Sequence, residues 1–312
     1  MADFRYAVIG TGAVGGFYGA KLQQAGQDVH FLLHRDYQHV KEQGLRIDSV
    51  EGDFLLPEVQ AYQSTQTMPK CDAVIVALKT TQNHLLAELL PPILKPDSAI
   101  ILLQNGIGVE PELAQKFPTQ HILGGLCFLC SNKVAPGYIH HVDYGAISLG
   151  EYGENYSARG ITATLKKVAA DFTKAGVEIN LVENLLAARW QKLVWNIPFN
   201  GLSVVLDATT NQLIENPAIY ELSKQLMYEV RLGAEAHSCD ISEDFIQKML
   251  NHTAQMKPYR TSMKIDFDLQ RPLEIEAMFH APLAIAASFG VELPKIKMLY
   301  QQLSFLNQQN LA

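Results

Sequence analysis

The first half of the chain is patterned in short apolar runs bounded by turn signals. Tyr6-Ala7-Val8-Ile9, Ala73 to Leu78 and Ala99 to Leu103 are continuous rather than alternating, as expected of strands buried on both faces of a parallel sheet, and Asp28 to Leu33 reads as a further strand. Between Ile9 and Asp28 lies a helical stretch, Phe17 to Ala25, with Gly26 as its stop. Further strand-like segments fall between Leu123 and Leu149, with Gly137, Gly145 and Gly150 as punctuation. A periodic helix from Ile161 to Ala175 then leads through Gly176 into a last strand-like run, Val177 to Val182. Beyond about residue 184 the rhythm changes to the helical period, over Leu185 to Val205, Tyr220 to His237, Glu243 to Met256 and Leu273 to Ser288. The pattern predicts an α/β protein: an N-terminal Rossmann-type doubly wound sheet in residues 1–183 and a mainly α-helical C-terminal domain in residues 184–312.

Composition agrees with two domains, since 312 residues exceed what one typical core supports. A formal charge of -7 argues against a nucleic-acid partner, which requires a basic face, so an anionic substrate must be met by a few local cations. No apolar run approaches the roughly 20 residues of a membrane-spanning helix, and the N-terminus lacks a signal-peptide layout, so a cytoplasmic protein with no membrane partner is expected. Cys127 and Cys130 form an isolated C-x-x-C, without the second pair that a zinc site needs, and read as thiols in a strand. His140-His141 lacks carboxylate or cysteine neighbours at ligand spacing, so no metal is expected.

Between the first two strands stands Gly10-Thr11-Gly12-Ala13-Val14-Gly15. Strand, G-x-G-x-x-G, helix, strand is the context in which this motif signals a dinucleotide, with the pyrophosphate at the helix N-terminus. Gly10 permits the turn, Gly12 the approach of a phosphate, and Gly15 the packing of helix on strand. The second strand ends in Leu33-His34-Arg35 where an NAD site usually carries a carboxylate, and a guanidinium suits a 2′-phosphate, so NADP(H) is the expected cofactor. Asp36 keeps the alternative open, either by pairing with Arg35 or by serving NAD. Lys79 and Asn105 follow two further strands, at the carboxyl ends where ligands of such sheets lie.

The densest chemistry lies in Arg189 to Asn200. Wound as a helix, positions 189, 192, 196, 200 and 203 share one side, giving Arg, Lys, Asn, Asn and Ser, while Leu186, Trp190, Leu193, Val194, Trp195 and Ile197 occupy most of the remainder. A narrow polar stripe on an otherwise apolar helix reads either as the wall of a pocket or as a solvated groove. Pro198 removes a helix hydrogen bond just before Asn200 and is expected to bend the helix there. Further on, Pro272, Glu274 and Glu276 make a good helix start, which by itself explains both carboxylates. A cleft between two domains is a usual place for a small ligand and is expected here.

With these residues in view, the chain resembles the ketopantoate reductase family nearly end to end. The likeness rests on Gly10 to Ala20, Arg35, Lys79, Gln104-Asn105-Gly106, the Lys192-Leu193-x-x-Asn196-x-x-x-Asn200 helix, Thr261-Ser262-Met263-x-x-Asp266 and Leu273-Glu274-Ile275-Glu276. It implies hydride transfer from NADPH to a small anionic 2-keto acid. Lys192 matches the proton donor to the nascent alkoxide; Asn196, Asn200 and Ser262 match substrate-holding residues. Asn105 matches a residue between nicotinamide and substrate, Glu274 an acid touching substrate hydroxyl or cofactor ribose, and Arg35 and Lys79 the side chains around the phosphates. Thr210 and Tyr259 stand where some members carry asparagines, which leaves room for a bulkier keto acid. Another two-domain dehydrogenase, or a dinucleotide sensor without catalysis, are the alternatives. Helices such as Tyr220 to Leu232 suit the surface of a homodimer or a core equally.

Overall fold

In the computed structural model, which describes residues 4–311, the sheet grows in both directions from β1 (Arg5–Ile9). Helix α1 (Ala13–Gln24) returns the chain to β2 (Asp28–Leu32), parallel to β1 on one side. There follow α2 (Tyr37–Gln43), the antiparallel pair β3 (Leu45–Ser49) and β4 (Phe54–Leu56), and β5 (Gln60–Tyr62), which adds to β2. β6 (Cys71–Val76) then pairs with the opposite side of β1. Outward from it run α3 (Leu86–Leu89), β7 (Leu94–Leu102), α4 (Val109–Lys116), β8 (His121–Ala135), β9 (Tyr138–Glu151), α5 (Ala163–Lys174) and β10 (Ile179–Leu181). The 10-stranded sheet has the order β4-β3-β9-β8-β7-β6-β1-β2-β5, with β10 on β9. The order reverses between β1 and β6, the switch point at which open α/β sheets leave a crevice.

The strands form where the apolar runs fall because both faces are covered. Tyr6, Ala7, Val8 and Ile9 are all 0% exposed, as are Val74 to Val76 and Ile100 to Leu102. Phe17 of α1 and Leu165, Val168 and Phe172 of α5 pack with Tyr6, Val8, Phe31, Ile75 and Ile101 in one core. Each such buried side chain contributes about 1.5–3 kcal/mol. The segments read as separate strands between Leu123 and Leu149 prove to be one long antiparallel hairpin of β8 and β9.

From α6 (Leu185–Val205) onward every element is helical: α7 (Thr210–Glu215), α8 (Pro217–Ala236), α9 (Glu243–Gln255), α10 (Ser262–Asp268), α11 (Ala281–Ser288) and α12 (Pro294–Leu311). The helix expected from Leu273 starts later, as a π-helical segment over Glu276–His280 that runs into α11. Glu274 therefore precedes the helix instead of sitting in its first turn. The chain groups into two compact units, residues through Gln104 with Glu110–Leu185, and Asn105–Val109 with the residues from Leu186 on. The short Asn105–Val109 segment thus belongs with the helices. Among the described residues no helix is long and apolar enough to cross a membrane.

The second unit is locked by Glu229 of α8. Its carboxylate is 5% exposed and accepts from the backbone N–H groups of Lys295 and Ile296 at 2.9–3.0 Å, the first turn of α12. Those donors have no acceptor within their own helix. A Glu229→Ala variant is expected to lose about 1–3 kcal/mol in urea unfolding followed by circular dichroism; unchanged stability would show that water replaces the carboxylate without cost.

Candidate functional site

In the first unit, the turn after β1 is dictated by backbone space. Gly10 has φ +96°, and a Cβ there would lie 2.5 Å from the Leu78 nitrogen. At Gly15 a Cβ would lie 2.4 Å from the Gly10 carbonyl oxygen and 2.9 Å from the Ala77 Cβ. Gly12 differs: a Cβ would meet nothing within 4 Å. No neighbouring protein atom therefore requires glycine at position 12. Gly12 also caps α1 and offers no side chain to the N–H groups of the first turn, Ala13 and Val14 included. Thr11 steadies the loop by donating its hydroxyl to the Leu32 carbonyl at 2.9 Å. An open cradle of N–H donors at the positive end of a helix fits a pyrophosphate.

Around this loop, Arg35 is exposed just beyond β2, and Lys79 is exposed beyond β6. Asp36 does not pair with Arg35. Its Oδ2 is held instead by the Lys133 ammonium and by the Gly137 N–H at 3.1 Å, both from the β8–β9 hairpin. Sequence proximity suggested the wrong partner because the right one arrives from a distant strand.

In the second unit, α6 presents the stripe expected of it. Trp190, Leu193, Val194 and Ile197 are 0% exposed, and Lys192 is half-buried. One turn on, Asn196 is 2% exposed and donates from Nδ2 to the Asn105 Oδ1 at 3.3 Å. The Asn105 loop is itself docked: the Ile107 N–H donates to the Ala277 carbonyl at 3.1 Å, and a Cβ on Gly106 would lie 2.5 Å from that oxygen. Glu274, 5% exposed, stands three residues before Ala277, so Asn105, Asn196 and the Glu274 segment are tied together. A π-helical segment of this kind often marks a functional site.

Asn200 and Ser203 extend the stripe toward α10. The Asn200 Oδ1 accepts the Met263 N–H at 3.4 Å, and its Nδ2 lies 3.9 Å from the Met278 Sδ. Ser203 and Thr261 share a hydroxyl hydrogen bond of 2.7 Å, and Thr261 caps α10. Ser262, half-buried, is the first residue of that helix. α6 stays helical through Pro198, and these contacts hold the Asn200 amide in place. Thr210 and Tyr259 also prove to be a tie: the Thr210 N–H donates to the Tyr259 carbonyl at 3.1 Å, and the Tyr259 N–H to the Thr210 hydroxyl at 3.2 Å. Arg189 is buried on the same helix.

Lys264, which the sequence did not single out, anchors α10 from beneath. It pairs with Asp207 at 2.7 Å and with Asp268. Burial pulls its pKa down, but the hydrogen bonds to Asp207 and Asp268 outweigh this and hold it above the ordinary lysine value. The hydrogen bond from Lys264 lowers Asp207 in turn. The signal that the sequence carried was the i,i+4 spacing of Lys264 and Asp268.

A family described as "Ketopantoate reductase PanE/ApbA" matches residues 6–154, and "Ketopantoate reductase PanE/ApbA C terminal" matches residues 184–307. The 2-dehydropantoate 2-reductase of a Nostoc species is 58% identical over 310 residues, covering 99% of this chain and 97% of that protein. The chain belongs to the ketopantoate reductase family. Among solved structures, the 2-dehydropantoate 2-reductase of Geobacter metallireducens superposes with a TM-score of 0.90 at 40% identity, covering 98% of this chain and 99% of its own. That of Methylococcus capsulatus gives 0.89 at 33% identity, with 98% and 97% covered. Membership makes this ketopantoate reductase relative a nicotinamide-dinucleotide enzyme with a Rossmann-type first domain and a helical second one.

Two outcomes follow from the geometry of this family member. Gly12→Ala is expected to keep the wild-type melting temperature while losing dinucleotide affinity in a fluorescence titration, whereas Gly15→Ala should cost about 1–3 kcal/mol of stability through overpacking. Equal melting temperatures for the two variants would contradict the distinction. For Asp207, a lowered folded pKa means a contribution that is present above the ordinary aspartate value of about 3.9 and lost as pH falls through the folded value. Asp207→Asn should therefore melt below wild type at neutral pH, with the gap closing on acidification; a gap that persists below that range would contradict the pairing.

Proposed function

We propose that this chain reduces 2-dehydropantoate to pantoate with NADPH as the reductant. The observation that carries the reading is 58% identity over 99% of the chain to a 2-dehydropantoate 2-reductase, with the Lys192, Asn196 and Asn200 stripe intact. When bound, the reduced nicotinamide supplies a hydride. Hydride arrival at the keto carbon leaves negative charge on its oxygen, and the Lys192 ammonium stabilises that charge and donates the proton that completes the hydroxyl. Asn196 and Asn105, held together by their amides, fix carbonyl and carboxylate oxygens without adding formal charge. Asn200 holds the first turn of α10, whose Ser262 hydroxyl contributes to the same substrate pocket. Glu274 takes the substrate hydroxyl or the cofactor ribose.

The dinucleotide rests on Gly10, Thr11, Gly12, Ala13, Val14 and Gly15, with the Arg35 guanidinium on the 2′-phosphate and Lys79 on a nearby phosphate. Support for NADPH comes from the exposed Arg35 and from an Asp36 already engaged by Lys133. Lys192→Ala is expected to lower kcat with 2-dehydropantoate by about 10²–10⁴-fold while leaving NADPH affinity, read by fluorescence titration, near wild type. Retention of full activity would remove Lys192 from the chemistry.

A further inference from the structure

We propose that Lys133 sets the cofactor preference by neutralising Asp36, the carboxylate that follows Arg35; the inference rests on the reading of NADPH as the reductant. The end of β2 carries two opposed signals in adjacent residues. A carboxylate there commonly accepts the ribose 2′-hydroxyl of NAD and repels the 2′-phosphate of NADP, whereas a guanidinium attracts that phosphate. Which signal prevails depends on whether Asp36 acts as a bare charge.

It does not. The Asp36 side chain is 11% exposed, and its Oδ2 is bound by the Lys133 ammonium and by the Gly137 N–H at 3.1 Å. The Lys133 ammonium also donates to the Thr11 carbonyl, inside the glycine loop, at 3.3 Å. Thr11 in turn is tied to Leu32, the last residue of β2, at 2.9 Å. Lys133 therefore lies between the glycine loop and the end of β2, the two segments that hold the adenosine half of a dinucleotide. With Lys133 in place, Arg35, Asp36 and Lys133 sum to one positive charge beside a 2′-phosphate. Without it they sum to zero, and Asp36 recovers its freedom to accept a 2′-hydroxyl. Lys133 is on this view a positioning residue that acts through Asp36.

The test is fluorescence titration of NADPH and of NADH against the wild-type protein, Lys133→Met, and the double variant Asp36→Asn/Lys133→Met, with melting temperatures confirming that each is folded. Asparagine keeps an oxygen for the Gly137 N–H while removing the charge. The wild type should favour NADPH. Lys133→Met should weaken NADPH binding about tenfold, the scale of one nearby charge, with NADH affinity unchanged or improved, and the double variant should recover NADPH affinity. Unchanged NADPH affinity in Lys133→Met, or equal losses for both dinucleotides, overturns the proposal. A loss that the double variant does not recover also overturns it, by assigning Lys133 to the phosphate directly. A wild type that favours NADH removes the NADPH reading itself, and the proposal with it, before any variant is compared.

Discussion

A polar side chain buried without a hydrogen-bond partner is costly, and the second unit is arranged around that constraint. Arg189, Asn196, Asn200 and Ser203 are buried on one face of α6, and the last three recruit two other parts of the chain. Asn196 fastens the Asn105 loop, Asn200 the first turn of α10, and Ser203 the Thr261 cap of the same helix. The contacts of one stripe thus bring a loop from early in the sequence and a helix from late in it onto the same helix. Lys192 is less buried than the amides that follow it on the stripe. On the reading proposed above, amides already fixed by the fold leave little reorganisation for the moment at which charge develops on a substrate oxygen.

The first unit answers a different constraint, that of backbone packing. Gly10 and Gly15 are required by neighbouring protein atoms, and Gly12 is not. The distinction separates the glycines that build the turn from the one that, on the reading proposed above, leaves room for a phosphate. The same economy governs the end of β2, where burial of Asp36 demands a counter-charge and the hairpin supplies Lys133. In both units the partners of these buried polar groups come from segments far away in sequence, brought by the antiparallel β8–β9 hairpin in the first and by the packing of helices in the second.

That arrangement explains what could be read from the sequence. β1, the glycine turn and α6 were legible because local pattern determines them: a fully apolar strand, a motif in its context, and a helix with apolar residues on most sides, whose bounds Leu185 and Val205 fall where the periodicity put them. β3 and β4 were not: Leu45-Arg46-Ile47-Asp48 alternates, but over so few residues that the pattern is weak, and the pairing of β3 with β9 is long-range. Glu274 appeared to open a helix, yet the helix starts later, where the Asn105 loop docks on Ala277. α12 escaped notice because its buried Ile296, Leu299 and Leu303 are interleaved with glutamines and exposed Met298 and Phe305. Lys133 carried no local signal, as it acquires its role from Asp36, a carboxylate of another segment, and Lys264 carried only its i,i+4 spacing to Asp268.

The reduction of one keto acid is the end that these constraints serve on the proposed reading. Its most direct test is to incubate the purified wild-type protein with NADPH and 2-dehydropantoate and to quantify both NADPH consumed and pantoate formed. One-to-one consumption and formation, with 2-dehydropantoate preferred over other 2-keto acids by kcat/KM, is the predicted result. Turnover of another keto acid with the higher kcat/KM, or none with 2-dehydropantoate, would contradict it.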